Sequence, residues 1–160
     1  MSQENVEIVR QAFEIFNRYR ETDLSRDERD KAFAAFAELA TPDFEYVEPP
    51  EWPGAGVHRG LDQYRQVLEG FFEALSQMTA EIEETLDAGD RVVVFVRWRA
   101  RGTSSGAELE MRPGQVFTLR DGKIAKQEVY LDRAEALEAA GLREQGSVRV
   151  RCWRVRVGTT

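Results

Sequence analysis

The chain has 160 residues, a net charge of −7 and a hydrophobic fraction of 42%, enough for one domain with one core. Its acidic balance argues against general nucleic-acid binding, which needs a basic footprint. No apolar run approaches the roughly 20 residues of a membrane helix, and the opening Met-Ser-Gln-Glu-Asn lacks the basic and apolar segments of a secretory signal.

One cysteine, Cys152, allows no internal disulfide and suits a reducing cytoplasm. With one histidine, His58, it leaves little for a zinc or iron site, which leaves carboxylate-only sites open; no metal is expected. Charge is uneven. Residues 143–160 hold five arginines and one acid (Glu144), a net +4, which leaves −11 on residues 1–142. We therefore expect a body over 1–142 and a basic tail over 143–160 that lies back on its own or a neighbouring body.

In chain order, Val6, Val9, Phe13 and Phe16 recur at helical spacing and predict a helix over about residues 3–20, with Ser2 as its N-cap. Residues 21–30 are almost wholly polar and read as an exposed connection. A second helix follows near 28–40 (Phe33, Phe36, Ala37, Ala40) and is ended by Thr41-Pro42-Asp43. Residues 44–48 predict a short strand. Pro49 and Pro50 then break regular structure, and a proline- and glycine-rich loop runs to Gly60. Leu61, Tyr64, Leu68, Phe71, Phe72 and Leu75 give a third helix, over 61–76, a broad apolar stripe.

Strands dominate thereafter. They are expected over Thr79–Asp87, Arg91–Arg101, Ala107–Leu119 with a bulge at Pro113-Gly114, and Lys123–Leu131, with turns at Asp87-Ala-Gly-Asp90 and Arg120-Asp-Gly-Lys123. Asp132 and Glu135 start a short helix that Gly141 stops. The tail alternates valines with arginines over 146–160, the pattern of an added strand or of a frayed terminus. Helices first and an antiparallel meander after make an α+β fold: a curved antiparallel sheet whose concave face is covered by three helices, with a cone-shaped cavity between the layers.

Gln3–Phe13 with Phe16-Asn17, Trp52–Gly60, Asp87–Val94, Phe117–Ile124 and Tyr130–Leu137, in this order and spacing, resemble the SnoaL-like branch of the nuclear-transport-factor-2-like superfamily, which includes ketosteroid isomerases. The resemblance covers about residues 1–142. It implies a cone-shaped roll, often dimerised through the convex face of the sheet. It also implies cofactor-free proton transfer of isomerase, cyclase or hydratase type, if the domain is an enzyme. The connection over 18–30 is longer than the familiar pattern, and the tail lies outside it.

Glu48 stands where the resemblance places a general base, just before a proline, at the mouth of an apolar pocket. Gln115 falls at the isomerases' oxyanion-stabilising position and can donate through its amide. The isomerases' tyrosine on the first helix is replaced by Ala12, which argues against steroid isomerisation. Tyr46, Tyr64 or Tyr130 could replace it.

Strand parity puts Trp98, Phe117, Gln127, Val129 and Leu131 on the cavity face, while Arg97, Arg99, Glu128 and Tyr130 share the convex face, where charge pairs could join two subunits. Phe16, Tyr46, Trp52, His58 and Tyr64 complete the expected ligand-binding set, with Trp52 a flat lid and His58 a loop residue able to shuttle protons. Bland alternatives stand beside each reading: Glu48 paired to Arg59, ordinary core for Trp98 and Phe117, a satisfied buried amide for Gln115. The expected ligand is a small apolar ring or carbonyl compound. The competing reading is a non-catalytic ligand-sensing or dimerisation module.

Overall fold

The apolar stripe at the start of the chain forms helix α1, Ser2–Tyr19, with Val9, Ala12 and Phe13 buried against a sheet. The structure is a computed structural model and describes residues 2–21 and 23–142. The tail, with Cys152 and the strand expected over 146–160, lies outside the described residues.

Helix α2, Arg26–Leu39, starts two residues earlier than its apolar positions suggest. Ser25 caps the Glu28 N–H while the Glu28 carboxylate accepts from the Ser25 N–H, a capping box inside the polar connection. Strand β1, Ala40–Val47, leaves α2 directly and is longer than expected, with Pro42 on an exposed irregularity where pairing slips between Ala40 and Glu45. A three-residue strand β2, Val57–Arg59, folds back onto β1 with Tyr46 opposite His58. Helix α3, Leu61–Ala74, follows and runs without a break into β3, Leu75–Ala88.

β4 spans Arg91–Gly102. The single long strand expected after it is two: β5, Glu108–Met111, pairs with the far half of β4, and β6, Gly114–Arg120, pairs with its near half. Pro113 stands between them; it has no N–H for a ladder. β7, Lys123–Tyr130, returns along β6 through Asp121-Gly122, both at positive φ, which is what a tight two-residue hairpin demands. Helix α4, Arg133–Ala139, is capped by Asp132 and stopped at Gly141.

The strands form one curved, open sheet in the order β2-β1-β7-β6-β4-β3, with β5 on β4. It is mixed rather than wholly antiparallel, because β1 runs parallel to β7. Its two faces carry two cores. Val92, Val94, Val96 and Phe117 face α1, α2 and α3, whereas Val93, Phe95 and Val116 face Ala136, Leu137 and Ala140 of the α4 segment. Three helices thus cover the concave face as expected, and a fourth seals part of the other. Gly114 makes that seal possible, since a Cβ there would stand 2.7 Å from the Ala136 Cβ. Among the described residues no helix is long and apolar enough to cross a membrane.

Candidate functional site

Between the three helices and the concave face lies a narrow cavity. Its clear interior is about 40 Å³. Helical spacing supplies one side: Ala12, Phe13, Phe16 and Tyr19 from α1, Phe33 and Phe36 from α2, Tyr64, Leu68 and Phe71 from α3. Inward strand positions supply the other: Tyr46, Trp98, Gln115, Phe117 and Gln127, with Met78 from β3. Ten of the sixteen lining residues are aromatic and none is charged, so an ionic ligand would find no counter-charge in the wall.

The polar atoms of this wall form a short chain. The Tyr64 hydroxyl donates to Gln127 Oε1 at 3.4 Å, and Gln127 Nε2 donates to Gln115 Oε1 at 2.7 Å. The chain ends there. Among the described residues, the Gln115 amide nitrogen and the Tyr46 hydroxyl make no hydrogen bond and stay open to the cavity, whereas the Trp98 indole N–H, also in the wall, is buried without a partner. Gln115 and Tyr46 as whole residues are almost wholly buried. Burial, then the neighbouring Tyr64 and Glu48, holds the Tyr46 phenol well above its ordinary pKa; burial does the same to Tyr64. Tyr19 is different: its hydroxyl donates to Glu69 at 2.6 Å and accepts from Arg65 Nε at 3.3 Å, so it is already satisfied.

Glu48 lies one residue past β1 and two from Tyr46. Its N–H donates to the Gly56 carbonyl at 3.1 Å, which closes the proline loop. The side chain is only 10% exposed, and the His58 imidazole N–H donates to it at 3.0 Å. The His58 ring in turn stacks on Tyr46, centroids 6.1 Å apart. The alternative partner, Arg59, pairs with Glu45 instead. Trp52 packs edge-on to Phe71 and beside Trp98, with ring centroids 6.0 Å away in each case.

Of the residues expected at the site, Phe16, Tyr46, Tyr64, Trp98, Gln115, Phe117 and Gln127 line the cavity. Glu48, Trp52 and His58 do not, but they adjoin residues that do: His58, bonded to Glu48, stacks on Tyr46, and Trp52 packs on Phe71 and Trp98. Val129 is buried in the same core without reaching the open space. Leu131 requires a correction. β7 ends at Tyr130, the alternation ends with it, and Leu131 is 38% exposed. Tyr130 faces away from the cavity and donates to Glu128 at 2.9 Å.

Sequence reasoning gave no cavity role to Tyr19, Phe33, Phe36, Leu68, Phe71 or Met78. The helix stripes already contained most of them; once a space lies between two layers, every inward helix position becomes a wall. Arg97 and Arg99 lie over β5 and pair with Glu110 at 3.2 and 3.4 Å. Among the described residues no three of His, Cys, Asp and Glu converge as a metal site.

An open cone whose helices and curved sheet enclose an aromatic pocket defines a nuclear-transport-factor-2-like, ketosteroid-isomerase-like domain. The family model described as "SnoaL-like domain" matches residues 9–127, and the chain belongs to that family. No curated protein matches the chain.

Solved structures match it in fold. A protein from Jannaschia sp. CCS1, named as a candidate SnoaL-like polyketide cyclase, is 20% identical at a TM-score of 0.66, over 87% of this chain and 92% of that one. TerC, co-crystallised with polyporic acid, is 22% identical at 0.65, over 86% and 98%. A hypothetical protein from Catenulispora acidiphila with a ketosteroid isomerase-like fold, in complex with trimethylamine, is 16% identical at 0.61, over 85% and 93%.

Proposed function

We propose that this domain binds a small, neutral, apolar compound bearing a carbonyl group, and that Glu48 serves as the acid–base group of a cofactor-free reaction on it. The observation that carries the binding reading is a set of donors without protein partners, the Tyr46 hydroxyl and the Gln115 amide open to the cavity and the Trp98 indole N–H beside them, in a wall without charge. A ligand carbonyl that accepts from a donor facing the cavity replaces a water there, a net gain of about 0.5–1.5 kcal/mol per hydrogen bond. The aromatic walls favour a ring. An alkylammonium ligand would use the rings but leave these donors unmet.

Tyr46 supplies from β1 a phenol of the kind that Ala12 cannot supply from α1. Glu48 is two residues along from it, sheltered, and oriented by His58. The reaction class that suits these groups is proton transfer next to a carbonyl: isomerisation, cyclisation or hydration. The binding-only reading is favoured by one observation, that Glu48 does not line the cavity. Turnover separates the two: Glu48→Gln should abolish catalysis while leaving affinity nearly unchanged, and an unaltered rate would remove Glu48 from the mechanism.

For the binding reading, cyclopentanone and its hydrocarbon shape-mate methylenecyclopentane are the test pair. We expect the ketone to bind about tenfold more tightly in a titration followed by amide chemical shifts, with the gap closing in Tyr46→Phe and Gln115→Leu. Equal binding of the pair would refute the donor reading. The assembly we propose is a cytoplasmic homodimer through the convex face, beside α4. Sedimentation at micromolar concentration should give twice the chain mass, and a monomer would overturn it.

A further inference from the structure

We propose that Tyr64 fixes the polarity of the Gln127–Gln115 amide chain and so makes the cavity select hydrogen-bond acceptors over donors. This rests on the binding reading above but gives Tyr64, itself a lining residue, a role exerted through the amide chain. A glutamine amide can turn either end to a cavity, because its oxygen and nitrogen are nearly equal in size and opposite in hydrogen-bonding sense. Nothing in Gln115 alone decides which end faces the open space. Gln127 decides it, by donating to Gln115 Oε1 at 2.7 Å.

Gln127 has the same ambiguity, so the decision passes to the group at the end of the chain. That group is the Tyr64 hydroxyl, which donates to Gln127 Oε1. If both amides reversed, Gln127 would donate to Tyr64 and Gln115 would present its oxygen to the cavity. The Tyr64 proton would then have to find another acceptor. Its surroundings are the rings of Phe33, Phe36 and Phe44, which have no lone pair, and of Tyr46, whose phenol oxygen is a weaker acceptor than an amide carbonyl; all four lie within 5.0–6.5 Å of its own centroid. Reversal therefore exchanges an amide acceptor for a phenol oxygen at best and is disfavoured. Burial also keeps the phenol protonated at ordinary pH, so the donor is permanent. At 3.4 Å the bond is longer than a usual O–H···O contact, which makes the bias modest.

The test uses the full chain and two probes of matched size: cyclopentanone, which only accepts, and pyrrole, which only donates through N–H. Wild-type protein should prefer cyclopentanone by between about twofold and tenfold, the range of one net hydrogen bond. Tyr64→Phe removes one oxygen from an aromatic cluster and should bring the ratio close to one, by weakening cyclopentanone and strengthening pyrrole. Gln127→Leu should do the same by a different route, and serves if Tyr64→Phe folds poorly. Side-chain amide resonances give a second readout: in Tyr64→Phe those of both Gln115 and Gln127 should move. A wild-type preference that is lost in Gln115→Leu but kept in Tyr64→Phe and Gln127→Leu overturns this inference and leaves the binding reading standing. No wild-type preference at all, or no binding of either probe, overturns the binding reading itself.

Discussion

Gly114→Ala tests how α4 is held to the convex face. Gly114 has no positive φ, so an alanine there carries no backbone penalty and acts through space alone. Its Cβ would stand 2.7 Å from the Ala136 Cβ, 3.0 Å from Phe95 Cε1 and 3.3 Å from Phe95 Cδ1. Unstrained carbon contacts lie near 3.5–4.0 Å, so roughly 1 Å of overlap must be relieved. Phe95 cannot swing away freely, because it is fully buried and the Arg133 guanidinium lies 4.1 Å over its ring. α4 must therefore lift, loosening the patch of Val93, Val116, Leu137 and Ala140.

Overpacking of this kind costs about 1–3 kcal/mol, which for a chain of this size lowers Tm by roughly 3–10 °C. Urea unfolding and a thermal melt measure it, and hydrogen exchange should place the loss in residues 133–140. Gly114→Ala combined with Ala136→Gly should recover part of the stability, less about 1 kcal/mol for a helical glycine. Cavity binding should be unaffected, since α4 lies on the opposite face. A Gly114→Ala protein within about 0.5 kcal/mol of wild type would refute the close approach of α4 to β6.

Three further outcomes are expected. All four tyrosines (Tyr19, Tyr46, Tyr64 and Tyr130) have pKa values raised above 10, chiefly by burial, with Tyr130 at about 12. Below pH 10 this contribution to stability is fully present. As pH rises past 10 the unfolded chain loses tyrosine protons that the folded chain keeps, so stability should fall. Phenolate absorbance should stay low in the folded protein at pH 10 and appear with unfolding; normal titration near 10 would contradict the burial. Ser25→Ala breaks the capping box and should cost about 1 kcal/mol in denaturant melts, with α2 amides exchanging faster; an unchanged midpoint counts against the cap. Trp52→Ala removes the ring packed against Phe71 and Trp98 and should speed ligand entry in stopped-flow mixing, whereas an unchanged on-rate would show that Trp52 guards no entrance.

Some of this architecture was legible in the residues and some was not, for identifiable reasons. The helix stripes and strand parities are local properties of spacing, and they put Phe16, Trp98, Phe117 and Gln127 on the cavity side and Arg97 and Arg99 on the other. Parity does not name a partner strand, so the parallel pairing of β1 with β7, more than seventy residues apart, left no local trace. β2 is three residues inside a glycine-rich loop, too short to alternate. The face chosen by α4 depends on Gly114 meeting Ala136, a contact between two unremarkable small residues. The aim of Tyr46 depends on β1, and the place of Glu48 on the loop it closes with Gly56. Leu131 failed because parity was carried one residue past the end of its strand.

The carbonyl stretch of bound cyclopentanone reports most directly on what the pocket offers a ligand. Infrared difference spectra should place it below its frequency in hydrocarbon solvent, moving back up in Tyr46→Phe and again in Gln115→Leu. A bound ketone vibrating as it does in hydrocarbon, indifferent to both substitutions, would mean that neither group reaches it.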